Sequence, residues 1–86
     1  MISINNKVFR IVCYLHENHL FVCNFHIKRK YQHKRLSYPI FQYLLLKYHK
    51  PIVLECYHSL YNYYINLGFI KIGDIGDGYY VMQRII

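Results

Sequence analysis

Apolar and polar residues alternate along two stretches near the start of the chain, Val8–Leu15 and Leu20–Ile27. In the first stretch one face carries Phe9, Ile11, Cys13 and Leu15. In the second the corresponding set is Phe21, Cys23, Phe25 and Ile27. A period of two in β-branched and aromatic residues is typical of strands. The polar link at positions 16–19 therefore predicts an antiparallel hairpin.

A repeat of four residues follows a basic stretch at positions 28–35. Its apolar members are Leu36, Ile40, Leu44 and Tyr48. This spacing predicts a helix over Ser37–Lys50, with Ser37 as the N-cap and Pro51 ending it. A second helix is predicted over Ser59–Leu67, and Gly68 stands where a left-handed C-terminal cap is expected.

Three further runs predict strands. Ile52–Leu54 is short and apolar, as in a buried strand, while Phe69–Ile72 and Tyr79–Ile85 flank a turn-forming segment and predict a closing hairpin. The predicted order is β-β-α-β-α-β-β, an α/β fold with a mixed sheet. The strands on either side of the first helix should be parallel, because a helical crossover connects them.

The composition narrows the class of protein. The chain has 86 residues, of which 55% are hydrophobic and 17% charged, so we expect one packed domain over residues 1–86. No apolar stretch reaches the ~18 residues of a membrane span, and Met1–Leu15 lacks the pattern of a signal peptide. Three cysteines are too few for a disulfide scaffold, which favours a reducing, cytoplasmic location.

The formal net charge of +7 favours anionic partners, whether nucleic acid, an acidic protein or a phosphorylated cofactor. The repeated spacing Cys13-x-x-His16 and Cys23-x-x-His26 raises the alternative of zinc. Residues three apart on a strand point to opposite faces, however, so we expect no metal site.

Three local motifs resemble the GNAT superfamily of N-acetyltransferases. The segment from Ile27 to Ser37 is similar to the family's strand, Q/R-x-x-G-x-G/A loop and helix, and Gln32 matches its first position. Tyr64–Phe69 resembles the family's Y-x-x-x-G-F, and the last strand resembles its closing strand. The resemblance implies a GNAT-like mixed sheet with two helices that lacks the usual N-terminal strand and helix pair.

The resemblance also implies a binding site for acetyl-coenzyme A. In the family, backbone amides at this helix N-terminus hold the diphosphate, which suits the positive end of a helix dipole. Arg35 and Ser37 stand where the family prefers Gly and Gly/Ala, and Arg35 adds a positive charge. The cofactor-binding residues that the resemblance implies are Ile27, Arg29, Gln32, His33, Lys34, Arg35, Leu36 and Ser37.

The implied chemistry is direct acetyl transfer to an amine between parallel strands that part after Ile27. Tyr64 inherits the role of the acid that protonates the departing thiolate, although a core aromatic would fit its position equally well. The candidates for the general base are His26 and Glu55, with Glu17 as a third. An ordinary interpretation also exists for two of them: His26 as a surface or sheet histidine, and Glu55 as a strand-end carboxylate.

The sequence therefore predicts an acetyl-coenzyme A-dependent N-acetyltransferase that acts on a protein lysine or a small amine. The alternative is an inactive GNAT-like module that binds a protein or nucleic acid through its basic face. An exposed aromatic patch, composed of Tyr61, Tyr63, Tyr79 and Tyr80, could instead serve a homodimer or another partner.

Overall fold

The computed structural model describes residues 1–85, which form one mixed sheet of six strands and two α-helices. The strands are β1 (Ile2–Asn5), β2 (Phe9–Leu15), β3 (Leu20–Ile27), β4 (Ile52–Tyr57), β5 (Ile70–Gly76) and β6 (Tyr79–Arg84). The helices are α1 (Ser37–Tyr48) and α2 (Tyr61–Asn66), and each follows a short 3-10 turn, at Arg29–Tyr31 and His58–Leu60. Across the sheet the order is β1-β2-β3-β4-β6-β5.

The predicted order of elements is confirmed, and one strand is added in front of it. β1 pairs antiparallel with β2, so that Ile2 lies opposite Cys13 and Ile4 opposite Ile11. Ile2 and Ile4 are half-buried, whereas Ser3 between them is exposed. A strand of four residues with two apolar members is too short to stand out in the sequence. No helix precedes β2 in the part of the chain described.

The predicted parallel pair is also confirmed, because β3 and β4 lie side by side in the same direction. Their pairing covers three positions, from Leu20 opposite Ile52 to Val22 opposite Leu54. Beyond these positions β3 stays paired to β2 and β4 to β6. The two central strands therefore part in the middle of the sheet.

A bulge in β3 changes which residues face the core. Cys13 lies opposite Val22 but Val12 lies opposite Asn24, so Cys23 is an extra residue. An extra residue reverses the alternation of side chains beyond it. Leu20 and Val22 are consequently buried before the bulge, and Phe25 and Ile27 turn inward after it. The predicted single face of Phe21, Cys23, Phe25 and Ile27 is therefore wrong in its first half.

Both helices pack on the same face of the sheet. The centre of the core is Phe41 of α1, which is fully buried and contacts the rings of Phe25, Tyr64 and Phe69 at centroid distances of 4.8, 6.5 and 5.2 Å. The remaining buried apolar residues are Ile11, Cys13, Leu20, Val22, Leu44, Leu45, Ile52, Leu54, Cys56, Leu67 and Met82. Within residues 1–85, no helix lies on the opposite face of the sheet.

The helix ends differ in detail from the predictions. Leu36, not Ser37, is the N-cap of α1, and Ser37 is the first helical residue. α1 ends at Tyr48 because His49 adopts a left-handed conformation with φ of 54°. After α2, Gly68 has φ of 91°, as its predicted capping role requires. A Cβ at Gly68 would lie 3.2 Å from the Arg84 Nε, so the close packing also favours glycine.

The closing hairpin is longer than predicted, since β5 continues to Gly76. The turn residues Asp77 and Gly78 have φ of 53° and 86°. Two consecutive residues with positive φ make a turn that suits the twist of a hairpin, and Asp-Gly is a preferred pair there. Among the described residues, no helix is long and apolar enough to cross a membrane.

Candidate functional site

The loop between β3 and α1 faces α2 across a cleft of about 850 Å³. Nine of the predicted site residues line this cleft: His26, Ile27, Gln32, His33, Lys34, Arg35, Leu36, Ser37 and Tyr64. Phe25, Tyr31, Tyr38 and Tyr63 line it as well. The other predicted residues do not line it: Arg29, Glu55 and the third candidate base, Glu17. The fold thus brings the loop motif and the Tyr64 motif to one place.

The loop is closed on the end of β3 by the side chain of Gln32. Its Nε2 donates a hydrogen bond to the Ile27 carbonyl oxygen at 2.8 Å. The backbone amide of Tyr31 donates to the Lys28 carbonyl oxygen, also at 2.8 Å, within the 3-10 turn. These two bonds turn the chain from the strand into the approach to α1. The Gln32 side chain therefore fixes the shape of the loop by its hydrogen bond to the backbone at the end of β3.

Arg35 and His33 adopt backbone conformations that favour glycine. Their φ angles are 57° and 64°. In this region a side chain crowds its own backbone, at a cost of about 1–2 kcal/mol per residue. Arg35 stands at the position where the resembling family prefers glycine, so the glycine-type backbone is kept although the residue has changed.

The loop presents free backbone amides at the start of α1. The N–H groups of residues 33–38 have no hydrogen-bond acceptor within the described residues. The first turn of α1 contains no acidic residue. Unpaired amides and the helix dipole together make a positive concave surface. We call the backbone of residues 33–38 the amide cradle.

Basic side chains surround the amide cradle and add to its positive potential. Lys34 and Arg35 belong to it, and Lys28, Arg29 and Lys30 precede it. The ammonium groups of Lys30 and Lys34 lie 6.0 and 5.9 Å from the centroid of the Tyr31 ring. Anion binding is the chemistry that this concentration of charge favours.

Tyr64 closes the inner side of the cleft. Its ring is 9% exposed and packs edge-on against Phe41 and Phe69. Burial, followed by the neighbouring Tyr63 and Cys56, raises the pKa of the Tyr64 hydroxyl to about 12. The hydroxyl therefore stays protonated at neutral pH and can donate a hydrogen bond. The core role and the site role of Tyr64 are compatible, because the ring is buried while the residue still lines the cleft.

Tyr63 also lines the cleft, whereas the sequence predicted for it only a place in an exposed aromatic patch. Its hydroxyl forms a hydrogen bond with the Ser37 hydroxyl, which joins α2 to the first turn of α1. The only feature of the sequence that could have indicated a role for Tyr63 in the cleft is its position beside the Tyr64 motif. The partnership with Ser37 spans 26 residues and depends on the packing of both helices.

The two candidate bases lie beside the gap where β3 and β4 part. The predicted parting after Ile27 is wrong, because parallel pairing already ends at Val22 and Leu54. Glu55 lies between the buried Leu54 and Cys56, so its side chain is on the face without helices. His26 is opposite Arg10 on β2, and both are exposed. His26 and Glu55 thus stand on opposite sides of the gap.

Glu17 lies in the turn between β2 and β3, at the other end of the sheet. β3 separates it from His26 by about 20 Å, given a rise of about 3.3 Å per residue. Of the three candidate bases, Glu17 is therefore the one that lies far from the gap.

A second cavity of about 440 Å³ lies on the other side of α1. It is mainly apolar and shares only Leu36 with the cleft. The β1 and β2 residues in its wall include Ile4 and Phe9, and α1 contributes Ile40 and Tyr43. No predicted site residue other than Leu36 faces it.

Comparisons with known proteins bear on the fold. No family model matches the sequence, and the search of curated proteins found no match. Among solved structures, a GNAT-family acetyltransferase from Listeria monocytogenes superposes with a TM-score of 0.72 at 15% identity, over 92% of this chain and 58% of that one. PaiA N-acetyltransferase from Thermoplasma acidophilum, in complex with coenzyme A, gives 0.75 at 15% identity, over 92% and 54%.

The chain therefore spans little more than half the length of these acetyltransferases. The anti-CRISPR protein AcrVA5, by contrast, matches over nearly its whole length. It superposes with a TM-score of 0.69 at 18% identity over 95% of both chains. At identities this low, the superpositions establish the architecture of the chain and do not identify a substrate. This chain has the fold of the GNAT superfamily of acetyltransferases.

Proposed function

We propose that this protein is an acetyl-coenzyme A-dependent N-acetyltransferase that transfers an acetyl group to an amine. The observation that carries the proposal is the amide cradle, which keeps a glycine-type backbone at Arg35 and lies in one cleft with Tyr64. The likeness to a fold neighbour in complex with coenzyme A supports the same cofactor.

The residues of the cleft fit a cofactor with a diphosphate. Free amides of residues 33–38 would hold the phosphate oxygens, and Lys34 and Arg35 would add charge-assisted hydrogen bonds. Where β3 and β4 part, each strand has an edge that the other does not pair. Such edges bind extended groups through backbone hydrogen bonds. Coenzyme A would supply the acetyl thioester.

The amine must lose a proton before it can attack. His26 and Glu55 stand on the two sides of the gap, and either one can accept that proton directly or through water. We propose that one of them is the general base. Tyr64 lies on the helix side, where its protonated hydroxyl would donate a hydrogen bond to the leaving sulfur. The acid and base are thus proposed on opposite faces of the sheet.

Isothermal titration with coenzyme A tests the proposal. We expect binding that survives physiological salt, and a matched pair of charge reversals should locate it. Lys34→Glu should weaken binding about tenfold or more, because it places a carboxylate at the amide cradle. Lys71→Glu makes the same charge change on the far edge strand and should have little effect. No binding by the wild type, or equal loss in both variants, would contradict the proposal.

A second candidate function is an inactive module that binds nucleic acid through the basic loop. The observation in its favour is the pairing of Lys30 and Lys34 with the Tyr31 ring, since cations beside an aromatic ring suit phosphates and stacked bases. Titration with single-stranded DNA would distinguish the two. Strongly salt-dependent binding of DNA, with no heat from coenzyme A, would favour this alternative.

A further inference from the structure

In the part of the chain that the structure describes, one face of the sheet has no helix on it, and we call this face the open face. α1 and α2 both pack on the other side. Large aromatic side chains remain exposed on it: Tyr14 is 44% exposed and Tyr57 is 56% exposed. Exposed aromatic surface on a small domain indicates a binding face.

The open face communicates with the cofactor cleft through the sheet. β3 and β4 have no pairing beyond Val22 and Leu54, so a gap separates the ends of these strands. The cleft lies on the helix side of this gap. Glu55 and Tyr57, which alternate with the buried Leu54 and Cys56, stand beside the gap on the open face. A group reaching the gap from this side would meet the reacting end of a cofactor bound on the other.

Three side chains beside the gap form a surface suited to an ammonium group. The rings of Tyr57 and Tyr79 lie 4.6 Å apart with an interplanar angle of 32°. Glu55 shares their face, because β4 and β6 pair Tyr57 with Tyr79 and Glu55 with Val81. The adjacent Tyr57 hydroxyl chiefly, then burial and the Glu55 carboxylate, raises the pKa of Tyr79, so the Tyr79 ring carries no charge at neutral pH. Neutral rings and a carboxylate together attract cations.

We propose that Glu55, Tyr57 and Tyr79 recognise the acceptor amine, and that this amine is a lysine side chain on an acidic protein surface. The inference rests on the proposed function and names its acceptor. A lysine has the length to reach from a partner surface to the gap, and its ammonium group matches the carboxylate and the two rings.

The shape of the open face favours a protein over a small molecule. Small ligands bind in concave sites that enclose most of their surface, and neither of the two cavities described above includes Glu55, Tyr57 or Tyr79. A face without an enclosing cavity suits a partner surface, for which about 800 Å² per side is usual. The charge of the chain favours an acidic partner. Its formal net charge is +7, and Arg10 is exposed on the open face opposite His26. Such a field attracts acidic surfaces and repels basic ones.

Three probes in an acetyl-transfer assay test the inference: an acidic poly(Glu,Lys) copolymer, polylysine and Nα-acetyl-lysine amide. We expect the highest kcat/KM per lysine for the acidic copolymer, falling as salt is raised. A preference for the small amine or for polylysine would overturn the inference. If the wild type binds no coenzyme A in calorimetry, the proposed function fails; if it binds but prefers another probe, only this inference fails.

Variants separate recognition from catalysis. Tyr57→Ala should raise the KM for the copolymer about threefold to tenfold with kcat nearly unchanged, which is the range of a cation–π contact. Tyr57→Phe keeps the ring and should restore most of that loss. Glu17→Gln removes a distant carboxylate and serves as the control for Glu55→Gln, which should lower kcat/KM. A Tyr57→Ala variant with unchanged KM would overturn the inference.

The other occupant of the open face would be a second copy of the chain. Sedimentation velocity of the wild type and Tyr57→Ala, at the concentration of the assay, distinguishes the two. We expect a monomer in both. A wild-type dimer that Tyr57→Ala dissociates would overturn the inference, because the open face would then be covered by its own copy.

Discussion

Arg35 combines two opposing effects in one residue. Its φ of 57° is unfavourable for a side chain, and its guanidinium adds charge at the amide cradle. Arg35→Gly should relieve the backbone strain and raise the free energy of unfolding by about 0.5–1 kcal/mol, after the entropy that glycine loses on folding. Affinity for coenzyme A should stay equal or become tighter, because the backbone can approach the phosphates more closely.

Lys34→Gly is the matched control for Arg35→Gly. Lys34 has no positive φ, so glycine there relieves no strain and should cost about 0.5–1 kcal/mol of stability. Chemical denaturation and calorimetry measure both quantities. A collapse of coenzyme A binding in Arg35→Gly would show that the charge outweighs the loop geometry.

Tyr64 tests the chemistry of the site. Its hydroxyl makes no hydrogen bond within the described residues, so Tyr64→Phe should leave the packing intact. We expect kcat to fall about 10- to 100-fold while the Kd for coenzyme A changes little, because the hydroxyl acts on the leaving sulfur late in the reaction. Steady-state kinetics and calorimetry measure the two values. Equal losses in both would argue against the acid role.

At the scale of elements, Phe41 joins α1 to the sheet and to α2. It is fully buried among rings from β3, from α2 and from the residue before β5. Phe41→Ala should lower the free energy of unfolding by about 3–5 kcal/mol, a large part of the stability of a domain this size. Leu46→Ala removes a side chain that is 56% exposed on the same helix and should change stability by less than about 1 kcal/mol. Similar losses in both variants, measured by denaturation, would contradict this description of the core.

The element order could be predicted because each main segment carries its own periodicity. The parallel pair followed from the crossover helix, and the cap at Gly68 followed from its place after the apolar run. The bulge at Cys23 could not be predicted, since an extra residue in a strand leaves the composition unchanged and shows only in the pairing with β2. The bulge also explains why the assigned face of β3 was half wrong.

Only part of the candidate site could be predicted from the sequence, because the rest depends on strand pairing and on packing between distant segments. Residues of the loop motif are adjacent in the sequence, so most of them share the cleft. Glu55 depends on the alternation of β4 and falls on the other face. The contact of Tyr63 with Ser37 and the position of the gap arise from packing between distant segments, for which the sequence offers no local pattern.

At the scale of the whole molecule, buried groups link stability to alkaline pH. Burial chiefly raises the pKa of the Cys13 thiol to about 11 and that of the Tyr64 hydroxyl to about 12. The unfolded chain ionises these groups near pH 9 and 10, so it binds fewer protons than the native state above those values. The stabilisation is complete below pH 9 and is lost as the pH rises to about 12.

We therefore expect the free energy of unfolding to fall by about 1–2 kcal/mol per group over this range, allowing for partial solvation. Denaturation measured from roughly pH 8 to roughly pH 12, a range that includes both ionisations, gives the size of this decrease in the free energy of unfolding. Tyr64→Phe and Cys13→Ala should each flatten it, whereas Tyr14→Phe, which removes an exposed hydroxyl, should not. A pH dependence that is identical in all four proteins would contradict the assignment.

A crystal structure of the protein with acetyl-coenzyme A would show whether the amide cradle binds the cofactor's diphosphate. We expect diphosphate oxygens on the backbone amides of residues 33–38 and a thioester at the gap between β3 and β4, on the side of Tyr64. Coenzyme A bound elsewhere, or a cleft that stays closed by the Arg35 and Tyr63 side chains at saturating ligand, would contradict it.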